Sequence, residues 1–309
     1  AMAECRVGIT LCDLPVELVH RIAFKCAAGE VARLSATCRR LHRMLLGSAY
    51  GRDKTRALKG LAWCVDGGFE RAARMALAEP GADPGGDDND ALRTAAMQGH
   101  AGIVRALLAH PAVDATVFFN EPLMSACTYD HADVVRALMD MSEVDVTAQE
   151  NLAIRSACAH GSIDVARLLL ACPEVDPAAC GAEALEWAIR GGHLELVAEL
   201  VADPRIDAAA DGSAALSVAA SVGECGIVTL LLECPGVDPS ANNSQALQNA
   251  CAGGHTHVVA ALLEDGRSEA HADRNAALRR AAGLGHGRVV EMLLTVEGVD
   301  ASDKHNDAL

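Results

Sequence analysis

The pattern of apolar and polar positions repeats along the chain at one fixed interval of about 31 residues, the distance from Leu92 to Leu123. In one unit, Leu92 and Ala95 lie at helical spacing before a break at Gly99, and Ile103 and Leu107 lie at helical spacing after it. Repetition at a period of about 20 to 50 residues is typical of stacked arrays, in which no unit buries its apolar face alone. The pattern therefore predicts an all-α solenoid of two-helix units.

Positions separated by this interval, or by a multiple of it, are called equivalent below. The repeat pattern occupies residues 57–309. We expect a degenerate first repeat at 57–87, seven full repeats from residue 88, and a ninth repeat only begun at 306–309. One leucine per second helix is predicted to fill the space between units, and this series is Leu107, Leu138, Leu169, Leu200, Leu231, Leu262 and Leu293.

Charge is distributed unevenly between the N-terminal segment and the repeats. Residues 1–56 carry ten Lys and Arg against five Asp and Glu, a net charge of +5, so the overall −16 leaves −21 for the repeats. Such an acidic array repels phosphate, and nucleic acid is therefore not an expected partner. No apolar run reaches the roughly 18 residues that cross a bilayer, so no membrane association is expected.

The 12 cysteines come with no secretory signal, no Cys-x-x-Cys pair and no zinc-ligand spacing. This usage is typical of a reducing compartment, so the prediction is a cytoplasmic or otherwise intracellular protein, with the nucleus left open. Cys127, Cys158 and Cys251 are equivalent to Ala96 and Ile189, which indicates buried small side chains rather than nucleophiles.

Histidines also recur, at one equivalent position in five repeats: His100, His131, His193, His255 and His286. Stacked repeats would hold them about 8 to 10 Å apart, which is too far for two of them to share a zinc ion. An acidic series that includes Asp114 and Asp176 is expected to satisfy turn amides instead of forming a catalytic pair. With no hydrolase, phosphate-loop or metalloprotease motif present, we expect no enzyme, no cofactor and no metal site.

The segment 11–50 resembles an F-box. The resemblance rests on Leu14-Pro15, Glu17-Leu18 and Ile22, followed by Leu34-Ser35 and Cys38-Arg39-Arg40. It implies a small helical module that docks a Skp-family adaptor of a cullin-RING ubiquitin ligase. The implied adaptor-binding residues are Leu14, Pro15, Leu18, Ile22, Leu34, Cys38 and Leu41.

Two features leave an alternative open for this segment. Ala23, Cys26 and Ala27 replace larger apolar residues, and Leu41 stands where the family often has tryptophan. The other reading is a helical cap on the repeats.

The repeat unit resembles the ankyrin repeat, on the evidence of Ala95-Ala96-Met97-Gln98-Gly99-His100 and of the run from Gly254 to Leu263. The usual unit has about 33 residues, and the shortfall lies in the connector between Asp83 and Leu92. We therefore expect an ankyrin-like helical solenoid with shortened or absent β-hairpin fingers. The resemblance also implies that the recurring histidines bind backbone between repeats.

In ankyrin-like arrays the first helices and connector tips contact the target, so the non-recurring residues at those positions are the candidates. The predicted target-binding residues are Phe118, Phe119, Met124, Tyr129, Arg155, His160, Trp187 and Arg190. Aromatic residues and arginine dominate binding hot spots. The alternative is that Phe119 tucks under its own loop and Trp187 packs between helices.

Taken with the F-box resemblance, this surface predicts a substrate receptor of a cullin-RING (SCF-type) ubiquitin ligase that presents a target protein. The alternative is a non-catalytic scaffold or competitive inhibitor, in which the repeats bind a partner and the N-terminal helices act as a cap. The combined F-box and ankyrin architecture resembles that of proteins from cells and from large DNA viruses.

Overall fold

A computed structural model of the protein describes residues 61–62, 64–78 and 82–299. Fifteen α-helices with defined bounds lie within these residues, and no β-strand does. The F-box-like segment 11–50, the boundary at residue 57 and the start of a ninth repeat at 306–309 all lie outside the described residues, so they stay predictions.

The chain divides into two compact units, Ala1–Asp145 and Val146–Leu309, called unit 1 and unit 2. The helices of unit 1 are α1 (Glu70–Leu77), α2 (Gly86–Met97), α3 (Ala101–Leu108), α4 (Val117–Thr128) and α5 (Ala132–Met139). The helices of unit 2 are α6 (Ala148–His160), α7 (Ile163–Leu170), α8 (Ala179–Arg190), α9 (Leu194–Ala202), α10 (Ala210–Val222), α11 (Cys225–Leu232), α12 (Ala241–Gly253), α13 (Thr256–Asp265), α14 (Ala272–Gly283) and α15 (Gly287–Leu293).

Within unit 1 the helices form two layers. The first helices of its repeats, α2 and α4, pack together in one layer, and α1, α3 and α5 pack in sequence in the other. Leu92, Leu107, Leu123 and Leu138 are buried between them. The helical pairs thus share one apolar core, as the spacing of these residues predicts.

Unit 2 repeats this arrangement over five helical pairs. Each of α6, α8, α10 and α12 packs against the first helix of the next repeat, and the second helices pack in the same order. The predicted leucine series is fully buried, with Leu169, Leu200 and Leu231 among the residues that have no exposed surface. Burial of each such side chain contributes about 1.5 to 3 kcal/mol.

Each connector ends in a turn that the sequence did not suggest. The first helix of every repeat from α2 onward opens with three residues in the left-handed region, such as Gln149, Glu150 and Asn151 at φ of 53°, 58° and 60°. A hydrogen bond from the N–H of the third residue to the carbonyl four positions earlier closes the turn, at 2.9 Å for Asn151 and Thr147. This one turn takes the place of a β-hairpin finger, so the expectation of shortened or absent fingers is confirmed for the described residues.

The third residue of the left-handed turn locks one repeat to the next. In four of the described turns its side-chain oxygen accepts a hydrogen bond from a backbone N–H of the following connector, at the acidic position, whereas Asn120 donates its Nδ2 to the carbonyl of Asp145 at 3.4 Å. The pairs are Asn89 with Asp114 at 2.9 Å in unit 1, and Asn151 with Asp176 at 3.0 Å, Ser213 with Asp238 at 2.9 Å and Ser244 with Glu269 at 2.8 Å in unit 2. Because these side chains are buried, the bond satisfies groups that water cannot reach.

Candidate protein-binding surface

The predicted adaptor-binding residues belong to the segment that the structure does not describe. These residues are Leu14, Pro15, Leu18, Ile22, Leu34, Cys38 and Leu41. Their grouping on one helical module remains a prediction from sequence.

The recurring histidines join successive repeats through side chain to backbone hydrogen bonds. In unit 1, Nε2 of His131 lies 3.0 Å from the carbonyl oxygen of Met97. The equivalent pairs in unit 2 are His193 with Ala159 at 3.3 Å, His255 with Ser221 at 3.1 Å and His286 with Ala252 at 2.9 Å. The ring nitrogen donates, since a carbonyl can only accept. The expectation that the recurring histidines bind backbone between repeats is confirmed for these four.

A glycine makes room for each of these rings. Gly99 has a φ of 77°, and a Cβ at this position would lie 2.6 Å from Nδ1 of His131. The position therefore needs glycine twice, for its backbone conformation and for the close approach of the ring. Gly161 and His193 repeat the same arrangement in unit 2. Histidine and glycine thus act as one structural element.

The acidic series caps the connector turns. Oδ1 of Asp114 accepts the N–H of Thr116 at 2.8 Å, and Oδ1 of Asp176 accepts the N–H of Ala178 at 3.0 Å. This two-residue spacing is the geometry of an Asx turn. The prediction that these carboxylates satisfy turn amides is confirmed for them.

The recurring cysteines are buried among apolar side chains. Cys127, Cys158 and Cys251 have no exposed surface. Burial raises the pKa of each of these thiols to about 12, so the neutral thiol is strongly favoured. The prediction that they occupy small buried sites is confirmed.

Two other kinds of site are absent from the described residues. No three His, Cys, Asp or Glu side chains there converge as a metal would require. Nor does any helix of the described part combine the length and apolar character needed to span a membrane.

In unit 1 the candidate residues lie at two places. Phe118 and Phe119 occupy the left-handed turn at the start of α4, with 52% and 81% of their surface exposed. Met124 is half-buried on α4, and Tyr129, at the end of that helix, is 56% exposed and contacts the ring of His131. Phe119 is therefore not tucked under its own loop.

Phe118 is held in place by Arg93 from the preceding repeat. The Arg93 guanidinium lies 5.1 Å from the centre of the Phe118 ring, within the range of a cation–π contact. Nε and Nη2 of Arg93 also donate to the two oxygens of Glu121, at 2.6 and 3.0 Å. These hydrogen bonds raise the pKa of the guanidinium further and fix its position.

In unit 2 the four candidates differ in how far they are engaged. Trp187 is 47% exposed on α8, and Arg190, one helical turn later, pairs with Glu186 at 2.6 Å. His160 is exposed at the end of α6, where its Nδ1 lies 2.8 Å from the carbonyl oxygen of Ser156.

Arg155 is the least available of the four candidates in unit 2. Its side chain is 17% exposed, and its Nη1 pairs with Glu183 of the next repeat at 2.5 Å. Among the four candidates of unit 2, Trp187 therefore supplies the exposed aromatic surface.

Sequence reasoning missed Arg93 as the neighbour of Phe118. A signal was present, because the interval from Arg93 to Glu121 equals the interval from Arg155 to Glu183, and the two pairs form equivalent salt bridges. Such recurring charge pairs mark side chains that contribute to architecture as well as to the surface.

These hydrogen bonds place histidine, glycine and paired helices in the arrangement expected of ankyrin-like repeats, and a family comparison decides the matter. The family model described as Ankyrin repeats (3 copies) matches residues 61–150, 154–243 and 216–305. The chain belongs to the ankyrin repeat family. Since ankyrin repeats bind other proteins, the family makes protein–protein interaction the function of this array.

A solved structure agrees with the family at the level of fold. The crystal structure of the ankyrin repeat domain of Bcl-3, whose title calls it a unique member of the IkappaB protein family, aligns with a TM-score of 0.51 and 22% sequence identity. The alignment covers 66% of this chain and 97% of that one. No curated protein sequence matches the chain significantly.

Proposed function

We propose that the protein is the substrate receptor of a cullin-RING ubiquitin ligase. In this proposal, segment 11–50 docks a Skp-family adaptor, and the ankyrin repeats hold the protein to be ubiquitinated. The observation that carries the target-binding half is the exposure of aromatic side chains at non-recurring positions, above all Phe119 and Trp187.

The contrast between recurring and non-recurring residues supports this half. Recurring residues such as His131 and Asn89 are engaged in bonds between repeats. Phe119 and Trp187 instead leave 81% and 47% of their surface exposed, and exposed aromatic side chains are the residues most often found in binding hot spots.

The adaptor half rests on sequence alone. Leu14-Pro15 and Glu17-Leu18 stand at F-box spacing, and residues 1–56 have a charge opposite to that of the repeats. This contrast supports a separate module with a separate partner.

Co-purification with a Skp-family adaptor tests the adaptor half. The full chain should retain the adaptor, whereas Leu14→Asp or removal of residues 1–50 should abolish retention, because an apolar contact is replaced or lost. Thr55→Asp, a charge change outside the F-box-like segment, serves as the matched control and should bind normally. Absence of adaptor binding by the unaltered chain at micromolar concentration would defeat the proposal.

The second candidate is a competitive inhibitor or scaffold. It is favoured by the departures from the F-box pattern at Ala23, Cys26 and Ala27, which weaken the expected apolar contact. A reconstituted ubiquitination reaction containing the adaptor, the cullin-RING core and a captured target separates the two. Transfer of ubiquitin to the target supports a receptor, and adaptor binding without transfer supports an inhibitor.

A further inference from the structure

We infer that the turn formed by Phe118 and Phe119 is a preformed aromatic anchor for a basic protein segment, one that carries Lys or Arg side chains beside an apolar residue. This inference rests on the proposed use of the repeats to hold a target protein. It assigns one contact point in unit 1 and the chemistry of the segment that contacts it.

Equivalent turns show how unusual the two residues are. All seven described turns share the left-handed conformation, and the other six place polar residues, cysteine or glycine at these two positions. The pairs are Asp87-Asp88, Gln149-Glu150, Cys180-Gly181, Asp211-Gly212, Asn242-Asn243 and Asp273-Arg274. Among the described connectors, only this one therefore presents two large apolar side chains at its tip.

Two features of these residues do not favour the folded state, namely their left-handed backbone and the exposure of Phe119. Phe118 and Phe119 have φ of 48° and 58°, a region that bulky side chains rarely adopt. Phe119 also leaves 81% of its surface in water. Asn242 and Asn243 form the same turn at φ of 51° and 60°, so aromatic side chains are not needed to build it. Strain and exposure that the fold does not need point to a function at this position.

Contacts within the fold already hold one of the two rings before any partner arrives. Arg93 covers the Phe118 ring at 5.1 Å and is itself fixed by two hydrogen bonds to Glu121. Phe119, next in the chain, has no comparable cover and projects into solvent. A partner therefore meets one ring that is already held in place, so less side-chain freedom is lost on binding than at two unsupported rings.

The negative charge around Phe118 favours a basic partner. Asp88, Asp90 and Glu121 all act electrostatically on Arg93, so three carboxylates surround one guanidinium beside Phe118. Residues 61–145 as a whole carry fourteen Asp and Glu against five Arg and no Lys. An acidic segment would be repelled here, whereas Lys and Arg side chains could pair with Asp88 and Asp90 while an apolar neighbour covers Phe119.

A selection experiment tests the anchor and the partner chemistry together. A phage-displayed library of random peptides is panned on the purified full chain, with depletion on the double variant Phe118→Asn/Phe119→Asn. This variant copies the Asn242-Asn243 pair of the same protein, so the turn should form and the melting temperature should not fall. We expect the retained peptides to combine Lys or Arg with apolar residues and to bind the double variant at least about tenfold more weakly.

Two further variants separate the contributions. Asp88→Asn/Asp90→Asn should weaken binding and flatten its dependence on ionic strength between about 0.01 and 0.15 M, because fewer charge pairs are screened. Asn242→Asp/Asn243→Asp changes an equivalent tip in unit 2 and should leave binding unaltered.

Three results would overturn the inference: failure of the selection to yield peptides that distinguish the double variant, enrichment of acidic or uncharged peptides, or equal loss of binding in the Asn242 and Asn243 control. Adaptor co-purification is run on the same variants. Adaptor binding that persists in the double variant leaves the receptor proposal standing whatever the peptides do, and loss of adaptor binding by the unaltered chain leaves the peptide result intact.

Discussion

Phe119 is the residue at which stability and the proposed binding role are most clearly opposed. Its backbone is left-handed at φ of 58° and its ring is 81% exposed, so the native state gains little from the side chain. The left-handed conformation costs a residue other than glycine about 1 to 2 kcal/mol, and asparagine tolerates it better than phenylalanine does. The native residue is thus a poor choice for the fold alone.

Replacement of this residue should therefore stabilise the protein. We expect Phe119→Asn to raise the free energy of unfolding by about 0.5 to 1 kcal/mol, because backbone strain is relieved and little buried area is lost. Urea denaturation measures the change. Asn243→Ala, at the equivalent turn position in unit 2, is the matched control and should change stability in the opposite direction. A loss of stability in Phe119→Asn would mean that the ring packs against the fold.

At the scale of the connector, two of the described junctions depart from the hydrogen-bonding series. Asn120 donates its Nδ2 to the carbonyl of Asp145 at 3.4 Å instead of accepting through its oxygen, and Ala182 has no polar side chain. Ala182 occupies the third place of its left-handed turn, where the other described repeats have asparagine or serine. Alanine cannot accept the N–H of Asp207, the residue equivalent to Asp176. This junction of unit 2 therefore lacks the side-chain bond that Asn151 makes at 3.0 Å.

Restoring the bond should strengthen that junction. We expect Ala182→Asn to raise the free energy of unfolding by about 1 to 2 kcal/mol, combining a buried hydrogen bond with better tolerance of φ at 61°. Ala182→Ser should act in the same direction, since Ser213 and Ser244 make the bond elsewhere. Thermal melting of both variants beside Ala178→Asn, a change just outside the turn, measures the effect. An unchanged melting temperature would show that the added side chain does not reach Asp207.

A second connector feature is an arginine clamp that recurs at Arg205 and Arg267. Nη1 of Arg205 donates to the carbonyl of Val175, and Nη2 to the carbonyl of Leu170, both at 2.8 Å. Its Nε donates to Oδ1 of Asp203 at 2.9 Å, and the hydrogen bonds from Arg205 lower the pKa of that carboxyl. The clamp joins a connector to the preceding repeat.

The lowered pKa of Asp203 fixes the pH dependence of this clamp. The ion pair between Asp203 and Arg205 contributes fully to the free energy of unfolding above the unfolded-state pKa of about 3.9. This contribution is lost as pH falls through the lower folded-state pKa. We expect Arg205→Ala to lower the free energy of unfolding by about 1 to 2 kcal/mol at pH 7. The difference in this free energy between the variant and the unaltered chain should shrink below about pH 4. The bonds to Val175 and Leu170 leave a residual difference at acid pH.

Urea denaturation across this pH range checks the expectation. Arg105→Ala, which removes an exposed arginine, should show a small difference that does not depend on pH. A gap for Arg205→Ala that stays constant or widens at acid pH would contradict the role of Asp203.

The helices were predictable from the sequence because burial imposes a period, and Leu92 or Leu107 must recur wherever a unit packs on its neighbour. The left-handed turns were not, because Gln149, Glu150 and Cys180 have no local preference for that conformation. In four of the described repeats a tertiary hydrogen bond such as that of Asn151 supports the conformation, and the turn of Cys180 and Ala182 adopts it without one. The recurrence of Asn or Ser at this third position was a visible signal.

The candidate surface was predictable to a different degree. The exposure of Phe119, Tyr129 and Trp187 was predictable because the other repeats carry different residues at the equivalent positions. A residue that packs between repeats is expected to recur in each of them. Arg155 obeys the same criterion and yet is mostly buried in an ion pair with Glu183, because its partner belongs to the next repeat and no local pattern connects them.

At the scale of the whole molecule, stability in a repeat array is approximately a sum of repeat terms and nearest-neighbour terms. Leu200 on α9 has no exposed surface, and α9 packs against both α7 and α11. One side chain therefore contributes to two junctions of unit 2. Its loss should weaken neighbouring repeats as well as its own.

Truncation of this side chain tests that view of the array. We expect Leu200→Ala to cost about 2 to 5 kcal/mol, from the lost transfer free energy and from the cavity that remains. Hydrogen exchange should accelerate most in α8 to α11 and less in helices farther along unit 2, because coupling passes only between neighbours. Leu194→Ala, a leucine 47% exposed at the start of the same helix, is the matched control and should cost little. An unchanged denaturation midpoint would mean that Leu200 does not fill the space between repeats, and uniform acceleration across unit 2 would mean that its repeats unfold as a single cooperative block.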